Sequence, residues 1–209
     1  MTSSVQTVED VCNQALGAIG FPKRIGSVYE GSKAAKAALD VYAQTRDELL
    51  RKQAWGFAER NINMVLLKFA PAGGYNPVTP WTTAYPPVPW LFEYQYPLDC
   101  LKVRSVKPQP IFIPNFDPQP QVFDVINDNY LSPPAKAVVS NVANAIIVYT
   151  GQVTNVTLWE PLFVEALVDA LAVKLAPKLG QLTQSGDAAE KEEKPTEAAD
   201  TFTADINQG

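Results

Sequence analysis

The chain has 209 residues, 46% apolar and 10% aromatic, enough for one substantial core or a core with a smaller subdomain. It holds no histidine and only two cysteines, Cys12 and Cys100, which excludes Ser-His and Cys-His nucleophile pairs and argues against a structural zinc site. From Asp187 onward seven acidic and two basic residues carry the whole net charge of −5, so the body is neutral and poorly suited to gripping a phosphate backbone.

No run of 18 apolar residues exists, so no membrane-spanning helix is expected. The start, MTSSVQTVED, lacks the basic and apolar parts of a secretory signal, and a soluble chain made in the cytoplasm is expected. The first element is a helix: Val8, Val11, Cys12, Ala15, Leu16 and Ile19 recur at helical spacing, Thr7 can cap it, and Gly20 before Pro22 ends it. Cys12 falls on that stripe and reads as a buried small hydrophobe.

A second helix is predicted from about Gly31 to Ala54, with Ala35, Ala38, Leu39, Tyr42 and Leu49 inward and Lys33, Lys36, Asp40, Gln44, Asp47 and Arg51 outward. Glu48 and Lys52 have the favourable i,i+4 orientation. Arg46 sits on the edge of the apolar stripe, where a guanidinium needs water or a carboxylate. Trp55 and Phe57 follow and are expected to plug the helical core. Ile62, Met64 and Leu66 alternate as a strand would, although a short helix is an alternative.

Residues 69–90, FAPAGGYNPVTPWTTAYPPVPW, contain six prolines and no helical or strand period, which predicts an irregular excursion. Its two tryptophans and two tyrosines imply packing on this chain or on a neighbour. From Leu91 to Gln152 the segments LFEYQYP, CLKVRSV, IFIP, QVFDVI and AIIVYTGQ read as short strands, with residues 136–150 as a hairpin turning near Val142 to Asn144. Residues 160–180 return to helix, with Pro161 in the first turn, Gly180 as a stop and Pro177 bending or ending it early. This helix is apolar nearly all round, and Trp159 resembles a hydrophobic staple for it. The tail is polar and alanine-rich.

The predicted fold class is therefore α+β: an α-helical bundle formed by the N- and C-terminal helices, with an inserted small antiparallel β subdomain. The expected parts are 1–68 and 156–184 for the bundle, 69–90 for the loop, 91–155 for the β subdomain and 185–209 for an acidic tail.

Chemistry is hard to find. AGGYNP follows no convincing strand and makes a poor phosphate loop. Asn127-Asp128-Asn129, near Asp124, reads as turn chemistry rather than a cation site. The Asn155-Val156-Thr157 sequon is a pattern only. Adjacent acids such as Asp47-Glu48 and Glu192-Glu193 point to different helical faces and are not catalytic pairs. Glu165, on the apolar helix, is the best single candidate for a raised pKa, and a structural ion pair between Arg46 and Glu165 is the expectation it suggests. No catalytic residue, cofactor site or metal site is assigned.

Several stretches together resemble the head-to-tail adaptors of short-tailed bacteriophages, also called tail tubular protein A. They are ALGAIG at the end of the first helix, SKAAKAALDVYAQTRDELLRKQAWGFA, YQYPLDCLKV, and WEPLFVEALVDALAVKLAPKLGQLTQS. The proline-rich excursion is longer than that family's pattern, and Pro195 stands where a continuous C-terminal helix is usual.

The resemblance implies a structural virion protein and no enzyme. Family members form a homo-oligomeric ring, usually a dodecamer, between the portal protein and the tail nozzle, a tail tubular protein B-like partner, with tail fibres nearby. Double-stranded DNA passes through the channel without specific binding. By carry-over, residues 185–209, including Glu190, Glu193 and Phe202, are the expected portal contact. Trp81, Tyr85 and Trp90 are the expected contacts to nozzle or ring neighbours. The alternatives are a head-completion or stopper protein of a long-tailed phage and a small muramidase-like hydrolase using Glu165.

Overall fold

The structure, a computed structural model, describes residues 6–109 and 118–192. The expected strand at 111–114 lies outside the described residues. Among the described residues three α-helices, α1 (Val8–Ala18), α2 (Lys33–Lys52) and α3 (Pro161–Glu192), accompany seven strands. The strands are β1 (Glu59–Asn63), β2 (Leu66–Phe69), β3 (Phe92–Gln95), β4 (Cys100–Pro108), β5 (Phe123–Asp128), β6 (Ala135–Ser140) and β7 (Ala145–Gly151). All pairings are antiparallel and form two sheets, β1-β7-β4 and β2-β3-β6-β5. The chain is thus mixed α and β, with two compact units: one from Met1–Val8 and Ala43–Leu167, the other from Glu9–Tyr42 and Val168–Gly209.

The helical unit follows from its spacing. Val11, Cys12, Ala15 and Leu16 of α1 are buried, as are Ala34, Ala35, Ala37, Ala38, Val41 and Tyr42 of α2. Gly20 takes a left-handed φ of 74° and Phe21 N–H returns to Leu16 O at 3.0 Å, which stops α1 where predicted. Asn13 clamps the next segment by accepting from Ile25 N–H at 2.8 Å and donating to Ile25 O at 2.9 Å. Ser32 Oγ caps α2 by accepting from Ala35 N–H at 3.1 Å. Leu39, expected inward, is exposed instead, because the buried stripe runs through the small alanines on either side of it.

Helix α3 also departs from expectation. It continues through Pro177 and Gly180 to Glu192. Its buried residues, Phe163, Val164, Leu167, Leu171, Leu175 and Leu179, recur every four positions on both sides of the proline, so one continuous packed face overrides the local breakers. It is not buried all round: Leu162 and Val173 are exposed.

In the sheet unit, strand position explains strand composition. Central β7 is buried along almost its whole length and is correspondingly apolar, whereas edge strand β1 is exposed throughout. Tyr94, Cys100, Val106, Val138, Ala145, Ile147 and Tyr149 form one core cluster drawn from both sheets. The expected hairpin over 136–150 is absent. β6 pairs with β3 and β5, while β7 pairs with β1 and β4, so residues 141–144 carry the chain from one sheet to the other. Ser140 faces Phe92 and Phe123, leaving no partner position for Ala145, and Asn144 makes the corner with φ 51°. The Tyr94 hydroxyl donates to Val142 O and Leu91 N–H to Asn141 Oδ1, which pins the crossover.

Candidate functional site

The charged stretch RDELLRK at 46–52 resolves into structural contacts. Arg46 is 6% exposed, and its Nε donates to Asp47 Oδ1 at 2.8 Å. Asp47 Oδ2 also accepts from Gln152 Nε2 at 2.8 Å, tying α2 to the end of β7. The carboxylate seen beside Arg46 is that of Asp47, and Glu165, the partner expected for it, is exposed on α3, on the side away from Phe163, Val164 and Leu167. That exposure also removes the apolar surroundings expected for Glu165.

The aromatic residues that follow pack together around the start of α3. Trp55, Phe57 and Trp159 surround Phe163 with ring centroids 5.2, 5.1 and 5.1 Å away, all near edge-to-face. Both buried indoles are satisfied, Trp55 Nε1 by Leu49 O and Trp159 Nε1 by Val153 O, each at 3.1 Å. Arg104, which nothing in the sequence pattern singled out, braces the same region. It donates to Trp55 O at 2.8 Å, Glu59 Oε2 at 2.7 Å and Thr150 Oγ1 at 2.9 Å.

The second cluster went unforeseen. Glu93 of β3 is fully buried beside Lys68 of β2 and Asp128 of β5. Lys68 Nζ bonds Asp128 Oδ2 and lies 3.7 Å from Glu93 Oε2, while among the described residues no donor reaches hydrogen-bond distance of either Glu93 oxygen. Burial, reinforced by the Asp128 carboxylate and opposed by Lys68, pushes the Glu93 carboxyl up to about 7. Asp128 is held below the usual range: burial alone would raise it, but the Lys68 ammonium and the Tyr130 N–H outweigh that. The turn bonding expected of 127–129 is present in the bond from Tyr130 N–H to Asp128 Oδ1, 2.8 Å long. An open groove of about 570 Å³ nearby is lined by Leu67, Gln95, Tyr96, Leu98, Pro133 and Lys136 among others, and neither Glu93 nor Asp128 contributes to its wall.

The proline-rich excursion is braced by its own side chains. Pro86 O accepts from both Tyr75 Oη and Trp81 Nε1 at 2.8 Å, and Tyr75 and Tyr85 stack edge-to-face at 5.9 Å. Asn76 Oδ1 takes the N–H groups of Val78 and Thr79, both at 2.9 Å, in an Asx turn. Trp81 is exposed by 41%, Tyr85 and Trp90 are half-buried, and Val78 and Val88 stand largely in solvent. Flanking strand β2 adds exposed Leu66, Leu67 and Phe69, and Val65 precedes it. Three predicted contacts, Trp81, Tyr85 and Trp90, thus lie on one braced segment. Glu190 falls on α3 but its side chain, with Glu193 and Phe202, lies outside the described residues.

Among the described residues no group of three or more Cys, Asp or Glu side chains converges as a metal site. No helix of the described residues is long and apolar enough to cross a membrane. Comparison of the chain with protein-family models and with curated proteins finds no match.

Proposed function

We propose that this chain is a structural connector subunit of a phage particle, a head-to-tail adaptor that assembles as a ring, extends the DNA channel and links the portal to the tail nozzle. The observation that carries the reading is the stretch from Val65 to Leu91. It exposes Val65, Leu66, Leu67, Phe69, Val78, Trp81, Val88 and Leu91, on a segment fixed by its own hydrogen bonds. Large apolar side chains concentrated on a pre-braced segment act as anchors, because little ordering entropy is lost when they dock.

Two further points support it. α1 from Glu9, α2 as far as Tyr42 and α3 from Val168 fall in one compact unit and all seven strands in the other, a division that suits helices grouped apart from a β subdomain. A ring needs two different complementary faces on each subunit, and a chain of two units, only one of which carries the strands, offers different surfaces for that purpose. The acidic side chains give the hydrolase reading little support: Glu165 is exposed on a helix, and the Glu93 and Asp128 carboxyls are closed off from the neighbouring groove.

Native mass spectrometry of the purified chain, alone and mixed with a portal ring, tests the proposal. A closed oligomer that forms or tightens on the portal is expected. A chain that stays monomeric, ignores the portal and releases sugar from peptidoglycan would overturn it.

A further inference from the structure

The geometry of the four-stranded sheet contains an unexplained feature. β2 and β5 are its two edge strands, three strand spacings apart, or roughly 14 Å in a flat sheet. Yet Lys68 of β2 bonds Asp128 of β5, so the sheet is curled enough for its edges to be tied together. Glu93 of β3 is buried against that tie, with both oxygens lacking a donor. Among the described residues an ionised carboxylate in this position has only Lys68 to turn to, and Lys68 is already engaged by Asp128. A protonated one becomes a donor, with the Asp128 carboxylate as acceptor.

We propose that Lys68, Glu93 and Asp128 form a proton-operated latch. With Glu93 protonated, Lys68 is committed to Asp128 and the edge strands are held together; when Glu93 loses its proton, it competes for Lys68 and the closure loosens.

The charges facing Glu93 decide the direction. Lys68 comes from β2 and Asp128 from β5, so an ionised Glu93 leaves the buried trio with one negative charge in excess. Also on β5, Asp124 is exposed and its Oδ1 accepts from Val125 N–H. On β6, Lys136 lies 5.7 Å from the Tyr96 ring, on the groove side. On β3 itself, Tyr94 directs its hydroxyl to Val142 O. Lys136 is not placed to neutralise Glu93, and Asp124, itself an acid, cannot do so.

The folded carboxyl titrates at about 7, against 4.5 ordinarily. Between those values the folded chain keeps a proton that the unfolded chain releases. Stability therefore declines as pH rises from about 4.5 to 7 and stays low above that.

The latch needs no partner and is independent of the adaptor reading. Its test is a pair of thermal melts from pH 5 to pH 8 on the full chain and on Glu93→Gln, whose amide copies the protonated donor. The parent should lose roughly 5 °C relative to the variant at pH 8, with the two nearly coincident at pH 5. Amide exchange over Leu66–Phe69, corrected for its intrinsic pH dependence, should accelerate at pH 8 in the parent alone. Parallel melting curves, or exchange that does not respond, would overturn the proposal. If the variant fails to fold, carbon-13 titration of the glutamate carboxyls in the parent decides: a Glu93 midpoint near neutral supports the latch, and one near 4.5 eliminates it.

Discussion

Phe163 illustrates what one residue holds in place. It is fully buried and meets Trp55, Phe57 and Trp159, so Phe163→Ala removes the common partner of three aromatic rings. A loss of about 3–5 kcal/mol is expected, read as a lower denaturant midpoint, whereas Phe163→Leu should lose distinctly less. Gly151 carries a different constraint: a Cβ there would lie 2.3 Å from Arg60 Nε, and Arg60 pairs with Asp99 at 3.1 Å. Gly151→Ala should displace Arg60 from Asp99, with a loss of about 1 kcal/mol or less because that pair is largely exposed. A crystal structure of the variant with Arg60 still on Asp99 would contradict this. The aromatic cluster was legible in the sequence because its members sit at helix ends, where large apolar residues have few other roles. Glu93 was not. In LFEYQYP it alternates with Phe92 and Tyr94 and so reads as the solvent side of a half-buried strand, but β3 is covered on both faces.

At the scale of elements, burial and connectivity decided what local propensity left open. The helix end signalled by Gly20 was readable, since capping is a local bond, and the Ser32 cap of α2 was missed although its signal is equally local. The stop expected at Pro177 and Gly180 was misread, because the leucines of α3 continue at four-residue spacing to Leu179. Proline inside a helix still lacks its N–H, so Pro177→Ala should stabilise α3 by about 1–3 kcal/mol. The measurements are ellipticity at 222 nm and the melting temperature, and a fall in either would mean that the proline shapes a bend the fold requires. The crossover at 141–144 was misread for another reason. Two apolar runs joined by a short polar link look the same whether they pair with each other or enter separate sheets, and the distinction lies in which distant strands compete for them.

At the scale of the whole molecule, the uneven charge makes predictions about partners. Residues before Asp187 carry fifteen charges of each sign, so no retention of double-stranded DNA is expected in a gel shift at about 150 mM salt. The acidic end is the segment for which the adaptor reading supplies a partner, and α3 permits a graded test. Cutting after Glu192 keeps the whole helix and removes four acidic and one basic residue; cutting after Gln184 removes the entire excess of −5 and the last helical turns. Both truncated chains should keep the near-ultraviolet circular dichroism of the parent, because the rings around Phe163 belong to the unit built from Ala43–Leu167. On the adaptor reading, capture by an immobilised portal ring should fall after the first cut and vanish after the second, with Trp81→Ser leaving that capture intact while weakening ring formation at least tenfold. If the shorter chain binds the portal as the full chain does, the acidic end is not the contact, and the exposed side chains of Val65 to Leu91 become the surface to test against it.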